Sequence, residues 1–421
     1  MNKNVYIVGG IRTPFVKSFT NYKNKTTNEL MIHSLQALVK KFALEGKTTG
    51  DVALGVLMNS SSNWNLARES VLSSGLSPET PAYNVQRACG SSLETALQIH
   101  SKIALGYITT GIAGGVDTNS DAPIEISRKL RDKLLTIKSA KNSLSKAKTL
   151  LSLELADFKI VAPAVREPRT GLSMGEHCER MVKEWGISQE EQDLLALASH
   201  QKAAQAFKNG FYEDLISPVD GLKKDTFVRE DTSLEKLAKL KPVFDPSGGT
   251  ITAGNASPLT DGSSCVLLAS EEGLKENNWE PLAKFVDFQV SAVDFVGGAG
   301  LLMAPTKAVA ELLRRNHLKL QDFDYYEIHE AFAGQVLCTL KAWQSEKYCR
   351  EVLNLPTPLG EIDRNRLNIK GGSVAIGHPF AATGGRIISS LAHMIREKKG
   401  RGLISICTAG GMGITAIMEG V

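Results

Sequence analysis

Apolar and polar positions alternate from Ala82 to Gln86, and the period then changes. Leu93, Ala96, Leu97, Ile99, Ile103 and Ala104 recur at helical spacing. The first pattern predicts a strand and the second the inner stripe of a helix, joined by a tight Ala88-Cys89-Gly90 turn. The same exchange of periods runs through the first 120 residues. Residues 5–8 read as a strand ending in Gly9-Gly10. Thr26-x-x-Glu29 reads as a capping box opening a helix through about Ala43. Residues 52–58 and 109–115 read as further strands, the latter ending in glycines. Strands alternating with helices predict parallel pairing with helices on the sheet faces, the α/β class.

The C-terminal part repeats the scheme. It predicts strands over 282–293, 324–328 and 402–407, and helices over 305–316, 331–349 and 387–399. Pro305 sits in a first helical turn, where proline is tolerated. The two ends also echo each other. Asn84-Val85-Gln86 followed by Cys89-Gly90 corresponds to Asn368-Ile369-Lys370 followed by Gly371-Gly372, and each leads to a helix, a strand and a double glycine. This predicts a duplicated α/β unit: residues 1–120 with 246–275 as one half, and 276–421 as the other.

Residues 121–245 break the pattern with charged, helix-rich sequence and the breakers Pro163, Pro168 and Pro218. Ser188-x-x-Glu191 caps a helix through Asn209. An insertion of this size reads as a lid or binding subdomain. Residues 128–148 carry Arg128, Lys129, Arg131, Lys133, Lys138, Lys141, Lys146 and Lys148 against one acid, Asp132, and Leu130, Leu134, Ile137, Leu144 and Leu151 recur at heptad-like spacing. Such a helix docks on an anionic membrane surface or a partner; a solvated face over a packed stripe fits the same pattern equally well.

Composition narrows the class. With 421 residues, 42% hydrophobic and 22% charged, the chain is a soluble protein of more than one lobe. A net charge of +4 and the lack of any zinc-finger or RNA-binding signature argue against nucleic acid as partner. No apolar run reaches the ~18–20 residues of a membrane span. The N-terminus carries no signal-peptide h-region. Six cysteines without a CxxC pair predict reduced thiols, no metal site and a cytoplasmic location.

Chemistry concentrates at predicted strand ends, where open α/β sheets place their ligands. Cys89 lies at a strand-to-helix junction, where free N–H groups and the macrodipole stabilise a thiolate. His329-Glu330-Ala331-Phe332 follows the strand over 324–328. Gly371-Gly372-Ser373-Val374-Ala375-Ile376-Gly377-His378-Pro379 and Cys407-Thr408-Ala409-Gly410-Gly411-Met412-Gly413 complete the set. Alone, each has a plain structural reading: a buried cysteine, a helix-capping histidine, a core histidine. Together they are hard to explain that way.

These four segments, with Gly249-Thr250-Ile251-Thr252-Ala253-Gly254-Asn255-Ala256-Ser257-Pro258-Leu259-Thr260-Asp261-Gly262, resemble the thiolase family in order and spacing over essentially the whole chain. His329 in place of the family's usual Asn, Ala409 in place of Gly and the basic insertion resemble the thiolase (β) subunits of fatty-acid β-oxidation complexes. The resemblance implies duplicated βαβαβαββ-type halves in a five-layered α-β-α-β-α arrangement with a helix-rich inserted loop domain. It implies CoA-dependent cleavage of a 3-ketoacyl-CoA to acetyl-CoA and a shortened acyl-CoA. Biosynthetic acetyl-CoA acetyltransferase activity is the alternative, and a non-catalytic scaffold subunit a remote one.

By that resemblance Cys89 is the nucleophile that becomes acylated, and His378 is its base and an oxyanion donor. Cys407 is the second acid/base, and His329 is an oxyanion donor or water anchor. Ala409 and Cys89 supply backbone donors for the other oxyanion. Glu330 is expected to support a catalytic histidine. Ser257, Ala253, Gly254 and Met174 match CoA-contacting positions, with Lys223, Lys224 and Arg229 as candidates for the phosphates. CoA and acetyl-CoA are substrate and product, with no permanently bound cofactor. The implied assembly is a homodimer or dimer of dimers, and the sequence leaves open whether a hydratase/dehydrogenase α subunit joins it.

Overall fold

The computed structural model describes residues 3–163 and 166–421. The described residues form twelve strands: β1 Val5–Arg12, β2 Val16–Lys17, β3 Val52–Gly55, β4 Ala82–Val85, β5 Thr110–Asp117, β6 Glu125–Ile126, β7 Ile160–Val161, β8 Thr260–Ala269, β9 Ala283–Ala292, β10 Tyr325–Ile328, β11 Arg401–Thr408 and β12 Met412–Glu419. Nine of them run in the order β10-β11-β12-β9-β1-β8-β5-β3-β4, with β2 added beside β8.

The order is a repeat with a centre. Antiparallel pairing of Val5–Ile7 in β1 with residues 283–285 in β9 joins the halves. Outward from β1 come β8 and β5, antiparallel, then β3 and β4, parallel. Outward from β9 come β12 and β11, antiparallel, then β10, parallel. Leu367 adds a parallel bridge to Tyr326. It occupies the place that β4 has in the first half, as the paired Asn84 and Asn368 motifs predict.

Helices sort into layers because each sheet face is apolar. Thr27–Lys41 and Leu66–Leu72 bury Leu30, Leu35, Leu38 and Val71 against one outer face. Ala304–Arg315 and Ala333–Gln344 cover the other outer face through Val309, Leu312 and Val336. Ser91–Ala104 and Thr383–Lys398 lie between the two halves of the sheet, where Leu93, Ile99, Ile388 and Leu391 share one cluster with Ile404 and Ile414. This is the five-layer arrangement.

The middle helices position the site. Their N-terminal ends meet at Gly384, where a Cβ would come within 2.6 Å of the Leu93 amide nitrogen. The Gly385 N–H donates to Ser92 Oγ at 2.8 Å. The loops entering the two helices, one bearing Cys89 and the other His378, are therefore brought face to face.

The insertion differs from its expectation. Residues 128–148 form two helices, Arg128–Ser139 and Ser143–Leu151, because Asn142 caps the second by accepting from the Ser145 N–H at 2.8 Å. Of the predicted stripe only Leu130 is buried, so it does not pack within the chain. Among the described residues no helix is long and apolar enough to cross a membrane.

Candidate active site

The turn holding Cys89 is tightly fastened. Ala88 takes a left-handed φ of 43°. The Arg87 N–H donates to Ser91 Oγ at 2.8 Å, and Ser91 Oγ donates to the Ala88 carbonyl at 2.6 Å. Cys89 ends up just ahead of the helix Ser91–Ala104, with its side chain buried. Burial pushes the thiol up to about 12, with the Asp117 carboxylate adding to the rise. The N–H groups of Ala409 and of Cys89 itself face the sulfur and oppose this, but do not prevail. The thiolate expected from the helix end alone is thus not the resting state, because desolvation of a buried charge outweighs the dipole.

His329 follows β10 directly, and its N–H donates to the Ser405 carbonyl of β11 at 2.8 Å. Its Nδ1 lies 3.0 Å from Ser373 Oγ. The His378 N–H donates to Thr260 Oγ1 at 2.9 Å, and its Nδ1 lies 2.6 Å from Thr383 Oγ1. The two rings stand 4.1 Å apart, centroid to centroid. Cys89 Sγ and a nitrogen of each ring all lie within 4.8 Å of one another. Each histidine is held through Nδ1, and each Nε2 has no partner among the described residues. Burial, with the Arg386 cation nearby, lowers His378 to about 3 and His329 well below its ordinary value, so both rings are neutral. A metal ion would fit the spacing of these three atoms, but the guanidinium opposes a second cation there.

Cys407 lies near the end of β11, fully buried, its thiol raised by burial and by the Cys89 thiol beside it. Ala409 opens the next turn, and the Gly410 N–H donates to Glu167 Oε1 of the insertion at 2.9 Å. Cys89, His329, His378, Cys407 and Ala409 are thus brought together.

The expected CoA-contacting residues lie around this centre at different distances. The Ser257 N–H donates to the Ala331 carbonyl at 3.0 Å, two residues from His329. Gly254 is buried beneath Leu237 and Leu240, and Ala253 is exposed. Met174 opens the helix Met174–Glu184 and packs on the cluster that holds Cys407 and Phe332. Lys223, Lys224 and Arg229 are exposed, on a segment whose Phe227 faces Gly377.

Glu330 does not support a histidine. Its carboxylate accepts from Asn368 Nδ2 at 2.6 Å, Ser199 Oγ at 2.8 Å and the Val374 N–H at 3.1 Å. It braces the loop before His378 and leaves both rings alone. Arg386 belongs to no motif of the sequence, and the signal that marks it is a lone charge inside Ala-Ala-Thr-Gly-Gly-Arg-Ile-Ile, whose burial needs a reason.

A buried thiol facing two neutral imidazoles, with backbone N–H groups aimed at the sulfur, defines a cysteine-dependent acyl-transfer enzyme. The chain belongs to the thiolase family: the thiolase N-terminal domain matches residues 5–272 and the thiolase C-terminal domain residues 279–420. It is 40% identical to a 3-ketoacyl-CoA thiolase of Aliivibrio fischeri, over 99% of this chain and 95% of that one. Identity to a 3-ketoacyl-CoA thiolase of Yersinia enterocolitica is 38%, over 99% and 96%. Human mitochondrial 3-ketoacyl-CoA thiolase in complex with CoA superposes with a TM-score of 0.83 at 30% identity, covering 100% of this chain and 98% of that one. Bacillus anthracis acetyl-CoA acetyltransferase superposes equally, at 0.83 and 31% identity, over 100% and 99%.

Proposed function

We infer that this chain is a 3-ketoacyl-CoA thiolase that cleaves its substrate with a second CoA in fatty-acid β-oxidation. The observation that carries the reading is the convergence of Cys89 with the unpartnered Nε2 atoms of His329 and His378. His378 takes the Cys89 proton as sulfur attacks the 3-keto carbon. The oxyanion formed there is met by the N–H groups of Cys89 and Ala409. Carbon–carbon cleavage releases the acetyl-CoA enolate, whose oxygen accepts from the two imidazoles and whose carbon takes a proton from Cys407. Cys407 then removes the proton of the incoming CoA thiol, which attacks the acyl-Cys89 and frees the shortened acyl-CoA, while His378 returns its proton to the departing Cys89 sulfur.

CoA is substrate and product in this scheme. Ser257, Ala253, Gly254 and Met174 line its pantetheine arm, and residues 121–245 form the binding subdomain between the halves 1–120 with 246–275 and 276–421. The assembly is a homodimer or a dimer of dimers in the cytoplasm, a compartment that suits six free, buried cysteines. The two helices over 128–151 supply a docking face for an α subunit or an anionic membrane: Leu134, Leu135, Leu144 and Leu151 are exposed beside the basic residues.

The test is a chain-length series of 3-ketoacyl-CoA substrates, starting with acetoacetyl-CoA, followed by loss of the magnesium-enolate absorbance. CoA-dependent cleavage by pure protein is expected. No cleavage at any chain length defeats the reading, and synthesis of acetoacetyl-CoA as the faster direction favours the acetyltransferase alternative.

A further inference from the structure

Arg386 is expensive for the fold. Its side chain is almost wholly buried, its Nε has no partner, and no carboxylate pairs with it among the described residues. It also lies in the opening turn of Thr383–Lys398, the end of a helix that disfavours a cation. Among the described residues the carboxylates of Glu327 and Glu330 offset it without forming an ion pair. A buried charge with so little local compensation destabilises, and such exceptions concentrate at functional sites.

Among the described residues its one hydrogen bond runs from Nη2 to Ser373 Oγ, at 3.1 Å. Among the described residues that oxygen has one other partner, His329 Nδ1 at 3.0 Å. A guanidinium only donates, so Arg386 occupies a lone pair of the hydroxyl. The hydroxyl hydrogen is then left with a single acceptor in reach, Nδ1. Ser373 is fully buried, and leaving that hydrogen unpaired is costly. An imidazole that accepts at Nδ1 and stays neutral carries its hydrogen on Nε2.

We propose that Arg386 and Ser373 are positioning residues that fix the tautomer of His329, holding its Nε2–H as a donor into the pocket; this rests on the reading of His329 as an oxyanion donor. His378 differs in its support. Its Nδ1 partner, Thr383 Oγ1, carries no arginine among the described residues, so the device that acts on His329 is absent at His378. The Arg386 cation also opposes protonation of either ring, so His329 donates without becoming an imidazolium.

The direct test is long-range ¹H–¹⁵N NMR on the full chain labelled with ¹⁵N-histidine at neutral pH, with His329 identified by the signals lost in His329→Gln. The Nε2–H tautomer is expected in the natural protein and a mixture of tautomers in Ser373→Ala. An Nδ1–H tautomer or an imidazolium at His329 in the natural protein overturns the proposal. This readout needs no turnover, so it stands apart from whether the chain cleaves 3-ketoacyl-CoA.

Kinetics supply a second test through a double-mutant cycle. Ser373→Ala should lower kcat/KM for acetoacetyl-CoA roughly three- to tenfold, less than the ~10²–10³ of losing a donor outright. In the His329→Gln background, where the amide carries its own donor, the same change should cost nearly nothing. Equal losses in both backgrounds mean that Ser373 only supports the fold, and overturn the proposal.

Discussion

Cys89 is acidified by its neighbours less than it is hindered by burial. With the thiol pushed up to about 12, the thiolate fraction at neutral pH is small. Iodoacetamide alkylation of Cys89 should therefore accelerate about tenfold per pH unit through the neutral range, with no plateau near the ordinary thiol value of ~8.5. A plateau there, read by mass spectrometry of the labelled peptide, would mean a preformed thiolate. Cys89→Ala should abolish thiolysis and leave the thermal unfolding midpoint within ~2 °C, since the exchange removes one sulfur from a rigid turn. Cys407→Ser should slow both half-reactions, because a hydroxyl is a far weaker proton donor at carbon; ordinary isotope exchange into acetyl-CoA would contradict its role. At this scale the sequence was informative where a reactive residue follows a change of period, as at Cys89 and His329. It was silent on Arg386, whose meaning depends on Ser373 Oγ, 13 residues away in sequence and in contact only through a turn.

Among the elements, the middle helices matter most, because the site exists only where their N-terminal ends meet. Gly384→Ala places a Cβ 2.6 Å from the Leu93 amide nitrogen, against backbone that cannot swing aside. The helices must separate, at a cost of about 1–3 kcal/mol in denaturant unfolding and with a fall in kcat that exceeds any change in KM. An unchanged kcat would show that the helices can part without moving Cys89 from His378. Two capping boxes were legible, Thr26 with Glu29 and Ser188 with Glu191, and both form as expected; a third, Ser173 with Glu176, forms where the sequence drew attention to Met174 instead. Helix ends inside polar stretches were not. Residues 331–349 form two helices, since Ser345 accepts from the Tyr348 N–H at 3.2 Å and so caps Glu346–Glu351. Strand β8 had escaped notice as a strand because its first half, Thr260-Asp261-Gly262-Ser263-Ser264, is polar yet buried. Those hydroxyls and the carboxylate serve partners such as His378, Ser34 and Ser120, which sequence alone does not bring near.

The whole molecule is a repeat that encloses its chemistry and an insertion that leaves apolar surface uncovered. Replacing Leu134, Leu135, Leu144 and Leu151 by serine should weaken co-sedimentation with anionic liposomes or capture of an α subunit, and should spare acetoacetyl-CoA cleavage. Unchanged association in both assays would remove the docking role. The repeat was readable from the paired Asn and double-glycine motifs; the joining of the halves was not, since pairing of β1 with β9 leaves no local mark. The pairing of Asp117 with Gly262 has a wider meaning. The chain leaves the first half at the end of β5 and returns beside the same point at the start of β8. The segment between them is fastened again where Asp225 pairs with Arg12 and Ser199 bonds Glu330, but its outer helices, Arg128–Ser139 and Ser143–Leu151, stand apart from the sheet. Those two helices can lengthen, shorten or change their partner while the sheet keeps its register, so the surface that meets other molecules can evolve independently of the centre that breaks the carbon–carbon bond.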